Sequence, residues 1–471
     1  MKIEQIFTSC LAEMAYYIES NGEAAVIDPL RETSPYTERA ENDNAKIKYI
    51  FLTHFHADFV SGHVDLAKKT GATIVYGPGA SAEYDLYNGS HGEVFRIGEA
   101  TIEMLHTPGH TMESVSLLLR DEKGIEQCLF SGDALFIGDV GRPDLAIKQG
   151  KLTEEDLARH LFNSLRNVIM PLPDEIIVYP NHGAGSACGK NMSKETYDTL
   201  GHQKEVNYAL RADMTEDEFV KEVLTGLVAP PQYFPKNAGM NKSMNTDIDT
   251  VIAKGRKKLS LDEVESYLAE GAIILDTRHQ NEFIKEHIPG SIFIGLNGQF
   301  APWVGALIED INQKIIIVAD YGKEEEAVIR LSRIGYDNSL GYIQNPITTW
   351  KEVGNKTASI QQVSPEKLAD LLASSNDVNV LDVRKASEFY SEHLIGAESL
   401  PLDGINKELA RLDKDKTYYT HCAGGYRSVI FESIAKKNGY HNLIDVDGGF
   451  SKMRDAKKLE ISEYVCPSTM L

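Results

Sequence analysis

The segment Thr53-His54-Phe55-His56-Ala57-Asp58-Phe59 closes an apolar, β-rich run, KYIFL. Alternate residues of an extended chain share a face, so His54 and His56 project together. A single histidine is more often packed or solvated than bound to anything. Two imidazoles and a carboxylate within five residues, at a strand end, point to a metal ion. Further candidates follow later β runs: His110 in TPGHT, Asp133 in SGDAL, Arg142 in GRPD and His182 in YPNHG. Each stands beside Gly or Pro, where a turn can present a ligand. A second chemistry is suggested by Cys422, at the end of TYYTH, whose loop CAGGYRS runs into the helical pattern VIFESIAKKNGY. Small residues let backbone N–H groups converge on one point, and the helix N-terminus adds positive potential, so the nest favours a thiolate. Arg427, five positions on, is expected to fold back over it as a fixed cation. Cys188, in HGAGSACGK, could hold sulfur or contact substrate, with Lys190 and loop amides favouring its thiolate, or could simply pack. Cys10, Cys128 and Cys466 read as small hydrophobes. Five scattered cysteines without a CxxC pair argue against disulfide or zinc-finger scaffolds.

These residues need elements to hold them. The length of 471 residues suggests about three domains. Forty-eight basic against seventy acidic residues give a net charge of −22, which repels nucleic acid and anionic lipid. The start lacks a basic-then-apolar leader pattern, and no apolar run reaches the roughly 18 residues of a membrane span; a soluble, cytoplasmic protein is expected. Up to about Leu227, short β runs alternate with helical stretches, predicting layered α/β structure. APPQYFPKNAGMNKSMN, rich in Pro, Gly and Asn, predicts a boundary or an irregular draped segment ending near Asp249. Beyond it lies an internal repeat: Asp276 and Asp382, His287 and His393, and Gly290 and Gly396 are each 106 positions apart. Each copy reads as a domain with a parallel sheet, with its binding site beyond the strand C-termini. Where the second copy has Cys422, the first has Asp320, followed by Glu324, Glu325 and Glu326. An aspartate has no thiol to act as nucleophile, so residues 257–356 read as catalytically silent.

THFHAD, TPGHT, SGDAL and PNHG resemble the metallo-β-lactamase fold, and GDALFIGDVGRPD with YPNHGAGS is similar to its persulfide dioxygenases. LDVRKASEFYSEHLIGAESLPL, CAGGYRS and DGGF resemble the rhodaneses. The resemblance implies an αββα metallo-β-lactamase sandwich over 1–249, a silent rhodanese-like domain over 257–356 and an active rhodanese over 361–462. It also implies one mononuclear Fe(II) on His54, His110 and Asp133, a facial set that leaves positions open for substrate and oxygen. His56, Asp58 and His182 would orient ligands or substrate. Arg142 would either support the site wall or an anionic substrate, or pair with Asp133 or Asp144. Phe59 stands where two-metal relatives carry histidine, and His63 lies further along, on a predicted helix. Cys422 would accept sulfane sulfur and, with Arg427, pass it on. The implied partners are a low-molecular-weight thiol persulfide, O2, sulfite and thiosulfate, with neither nucleic acid nor membrane, and a homo-oligomer left open. The alternatives are a glyoxalase II-like binuclear thioester hydrolase fused to a sulfurtransferase, and a non-catalytic sulfide-responsive adaptor.

Overall fold

Strand Glu13–Ser20 divides its side chains between two apolar layers: Met14, Tyr16 and Ile18 enter one, Ala15 and Tyr17 the other. A period of two with both faces apolar places the strand inside a sandwich. The computed structural model, which describes residues 1–145, 152–227, 229–375 and 377–466, bears this out. One six-stranded sheet runs in chain order from Lys2–Thr8 to Tyr87–Asn88; the other runs in reverse order from Asp198–Thr199 to Val94–Ile97. Phe51 and Val75 of the first sheet meet Phe95, Leu117 and Phe130 of the second in the layer between them. Helices Ser34–Asn42 and His63–Thr70 cover the first sheet, burying Tyr36, Ala40 and Leu66. Helices Glu154–Ser164 and Glu216–Leu224 cover the second through Leu161, Phe219 and Val223. Both of these helices start in reciprocal caps, Thr153 with Asp156 and Thr215 with Glu218. The architecture is αββα. The chain divides into two compact units, Met1–Ile248 with Ser332–Gly335, and Asp249–Leu331 with Tyr336–Leu471.

The second unit holds two all-parallel sheets. Ile292–Phe293, Ile273–Asp276, Ile315–Val318 and Ser339–Tyr342 are adjacent in that order in one. In the other the order is Gln361–Val363, Leu443–Val446, Tyr418–His421, Asn379–Asp382 and Glu398–Ser399. Continuous apolar runs such as IIIV suit strands covered on both faces. The sequence repeat is repeated in its interactions. Arg278 grips Asp276 with Nη2 2.6 Å from a carboxylate oxygen and also donates to the Glu286 carbonyl. Arg384 does the same with Asp382 and the Glu392 carbonyl. Phe283 stacks on His287 at 3.9 Å and Phe389 on His393 at 4.1 Å. The Asp-x-Arg motif is therefore a clamp between the end of a strand and the end of the following helix.

Helix Tyr426–Lys437, which follows the Cys422 loop, is buried along most of its length and takes Glu432 inside with it. Burial, reinforced by the nearby Asp445, pushes this carboxyl up to about 8 against the opposing pull of Lys436 and Thr420. The folded chain thus holds a proton that an unfolded glutamate releases near 4.5. The folded state binds more protons between about pH 4.5 and 8, so this group's contribution makes stability fall as pH rises through that window. Glu432→Gln is expected to flatten the fall: between pH 5 and pH 8 the melting temperature should drop by several degrees less in the variant than in the unaltered protein, as read by calorimetry. Equal drops in the two proteins would show that Glu432 is not the group responsible.

Candidate metal centre and candidate sulfur-transfer loop

Strand Lys46–Phe51 delivers Thr53 and His54 into the interior at the sandwich edge. The Thr53 hydroxyl donates to Asp28 at 2.8 Å, so it can accept from His54 Nδ1, 3.0 Å away. That fixes the tautomer and leaves His54 Nε2 with a lone pair. His110 Nδ1 lies 2.9 Å from the Arg142 carbonyl, which orients this ring in the same way. Its Nε2 stands 3.4 Å from Asp133 Oδ2, and His54 Nε2 stands 3.9 Å from the same atom. Both Asp133 oxygens are buried with no hydrogen-bond partner. Buried carboxylate oxygens are costly without a donor or a cation. His54, His110 and Asp133 therefore fit a bound metal ion, each offering one atom within 4.8 Å of the others.

A second convergence lies beside the first. His182 Nε2, without a hydrogen-bond partner, is 3.4 Å from Asp58 and 3.7 Å from Asp133. His56, Asp58 and His182 form one further group able to hold an ion, and Asp133, His182 and Cys188 another. His56 is anchored the opposite way round from His54: Nε2 meets Asp28 at 2.8 Å and Nδ1 is left unpaired. The neighbouring position is filled by Phe59, fully buried, with its ring 4.3 Å from that of His56. His63 opens helix His63–Thr70 and is spent on the Tyr84 hydroxyl at 2.7 Å; burial, with cationic neighbours, drives it down to about 3.

Several sequence expectations change here. Arg142 is forked onto Asp144, both bonds 2.6 Å, while its carbonyl supports His110; of the two readings for this side chain, the ion pair is the one realised. Lys190 does not favour a Cys188 thiolate: its ammonium donates to the carbonyls of Glu222 and Thr225, and burial, with Asp58 and Asp133 near, pushes the thiol up. The segment expected to be irregular forms a short helix, Phe234–Met240. Asn241, which ends it, donates to the carbonyls of His56 and Phe59 and accepts from the Ser61 N–H. Motif reading missed Asn241 because an amide in a Pro/Gly/Asn-rich stretch carries no chemical signature. It missed Asp28 for want of a nearby histidine; the signal was an acid closing the apolar run AAVI immediately before Pro29.

Cys422 follows strand Tyr418–His421 and is 1% exposed. Its sulfur accepts from the Gly425 N–H at 3.1 Å and faces the Ser428 hydroxyl at 3.7 Å. Gly425 adopts φ 99°, a conformation that side chains resist, so the loop depends on glycine there. Arg427 lines the same cleft as Cys422, and its guanidinium forks onto Glu388 at 2.6 and 2.9 Å, a partner that the sequence did not suggest. The cysteine is held by backbone and hydroxyl donors, and the arginine ties the loop to helix Ala386–Ser391.

Residues 9–182 match the profile of the metallo-beta-lactamase superfamily, and 260–353 and 364–456 each match the rhodanese-like domain. A metallo-beta-lactamase from Staphylococcus aureus, of known structure, is 30% identical, covering 73% of this chain and 98% of that one with a TM-score of 0.60. A hydroxyacylglutathione hydrolase of Dictyostelium discoideum is 32% identical over 199 residues, 40% of this chain and 70% of its own. The human mitochondrial persulfide dioxygenase ETHE1 is 27% identical over 223 residues, 46% of this chain and 79% of its own. The chain belongs to the metallo-beta-lactamase superfamily and carries two rhodanese-like domains. Its relatives divide between hydrolases and dioxygenases, so the choice between those chemistries turns on the site. Among the described residues no helix is long and apolar enough to cross a membrane.

Asn241→Ala would leave two buried carbonyls and one buried N–H without their partner, a cost of about 2–5 kcal/mol. The variant is expected to melt lower even when stripped of metal, and to retain less metal after dialysis. Unchanged values on both measures would remove Asn241 from the site's framework.

Proposed function

We propose that this chain is a non-haem Fe(II) persulfide dioxygenase joined to a rhodanese sulfurtransferase, with residues 1–249, 257–356 and 361–462 as dioxygenase, silent rhodanese and active rhodanese. The observation that carries the reading is the buried Phe59 ring on His56, together with the engagement of His56 Nε2 by Asp28. Among the described residues these leave His54, His110 and Asp133 as the candidate group whose two histidines both have an anchored Nδ1 and an outward Nε2. Those three residues would hold a single Fe(II), which when bound supplies a site where a persulfide sulfur and O2 can meet.

The chain's own residues do the rest. Thr53 and the Arg142 carbonyl keep the ligand histidines in one tautomer, and Asp28 keeps Thr53 and His56 in place. Deep burial of the donor set keeps bulk water from competing for the site. The reaction balances as R–S–SH plus O2 plus H2O giving R–SH, sulfite and two protons. At Cys422, the thiolate attacks the outer sulfur of a persulfide; the new S–S bond forms as the old one breaks, and R–S⁻ leaves with the electron pair. Gly425 N–H and Ser428 sit where they can stabilise charge on the sulfur. Sulfite then attacks the outer sulfur of the Cys422 persulfide, regenerating thiolate and releasing thiosulfate. Such a protein would detoxify sulfide-derived persulfides in the cytoplasm.

The group His56, Asp58 and His182 favours one rival, a binuclear thioester hydrolase. Elemental analysis separates the two: about one iron per chain is expected, and two zinc ions per chain would overturn the dioxygenase. His54→Ala should lose at least about a hundredfold in oxygen uptake on a thiol persulfide while thiosulfate-to-cyanide transfer persists. Cys422→Ser should still consume oxygen but accumulate sulfite, and unchanged thiosulfate output would defeat the coupled scheme.

A further inference from the structure

The cleft over Cys422, about 500 Å³, is not built by the copy that carries the cysteine alone. Cys422 and Tyr426 line one side; Gln280, Asn297, Gln299 and Trp303, from the copy without a cysteine, line the other. This wall is seated directly on the helix that leaves the catalytic loop. The Tyr426 hydroxyl donates to the Gly295 carbonyl at 2.7 Å, and Phe293 N–H donates to Ser433 Oγ at 3.0 Å. Phe293 meets the Tyr426 ring edge-on at 5.7 Å. Gly298 lies so close that a Cβ there would stand 2.2 Å from Tyr426 Cζ. The two copies thus meet tightly next to the sulfur, and the wall is held in place by interior contacts.

Its chemistry differs from that of a small-anion site. The silent copy contributes carboxamides and an indole but no cation to the lining. Arg427, at the cleft, is forked onto Glu388. Asn297 and Gln299 are exposed, and Asn297 donates to Gln280 at 2.9 Å, which orders the amides as a surface. Carboxamides pair with amide groups, an indole face packs against a methylene chain, and the volume suits a ligand of drug-like size.

We infer that the copy lacking a cysteine is the specificity wall of the sulfurtransfer site, and that it selects an amide-bearing low-molecular-weight thiol persulfide as the donor to Cys422. The inference rests on the sulfurtransferase reading of Cys422. It goes beyond that reading by assigning the donor's class and a role for residues 280–303.

The test uses the full chain with three donors, glutathione persulfide, coenzyme A persulfide and thiosulfate, and sulfite or cyanide as acceptor. Gln299→Ala and Trp303→Ala should raise KM about tenfold for one or both amide-bearing persulfides. With thiosulfate, kcat/KM should stay within about twofold, as should the alkylation rate of Cys422 by iodoacetamide. The persulfide that responds identifies the donor's body as peptide or pantetheine. Should the variant of Trp303, a buried residue that reaches the cleft lining, fold poorly, the exposed Gln299 variant carries the test. Equal losses with thiosulfate and persulfides, or no change with any donor in Gln299→Ala, would overturn the inference while leaving Cys422 as the sulfur carrier. No transfer from any donor in the unaltered protein would instead overturn the sulfurtransferase reading, and the inference with it.

Discussion

The Asp28 carboxylate is the point on which the metal-side end of the sandwich depends. It stands just past strand Glu23–Ile27 with φ 48°, fully buried, and accepts from Thr53 N–H, Thr53 Oγ1, His56 Nε2 and Asn181 Nδ2. Thr53 and His56 follow a strand of the first sheet, and Asn181 follows strand Ile177–Pro180 of the second. One acid therefore joins the ends of both sheets. Four donors at 2.7–2.8 Å keep the charge in a dry interior tolerable. In return they fix which nitrogen His56 presents and, through Thr53, which nitrogen His54 presents, while the Arg142 carbonyl does the same for His110. Each ring is thus held by its own hydrogen bond, and Asp28 links two of these holds to the ends of both sheets.

In the rhodanese-like half the Cys422 sulfur is met by backbone and hydroxyl donors. Arg427, which lines the same cleft, is paired with Glu388 and so braces the loop against a neighbouring helix. The bracing makes the loop a rigid cradle, and the sulfur sits deep enough that any partner must enter by the cleft above it. Burial of the Cys188 thiol beside Asp58 and Asp133 produces the opposite case, a cysteine whose surroundings favour the proton.

Much of this was legible in the sequence. The alternation of short β runs with helical stretches up to about Leu227, the 106-residue repeat and the motifs around His54, His110, Asp133 and Cys422 point to the architecture, because local pattern and residue chemistry agree in those places. What could not be read were interactions between residues far apart in the chain. Asp28 bonds Asn181 from 153 positions away, and Asn241 reaches His56 from 185. Lys190 departs from expectation for a related reason: proximity in sequence suggested that its charge would serve Cys188, whereas the carbonyls of Glu222 and Thr225 offered better-placed acceptors. Long cationic side chains go to the partner that geometry offers, and that geometry is tertiary.

The matched clamps of the two copies show which part of the fold they have in common. Asp276 with Arg278, and Phe283 stacked on His287, are the counterparts of Asp382 with Arg384 and Phe389 on His393. The copies differ in the loop, where one has Asp320 and the other Cys422. What the clamp secures is the frame, strand end to helix end, so the residues of a loop on another strand can change without loosening it.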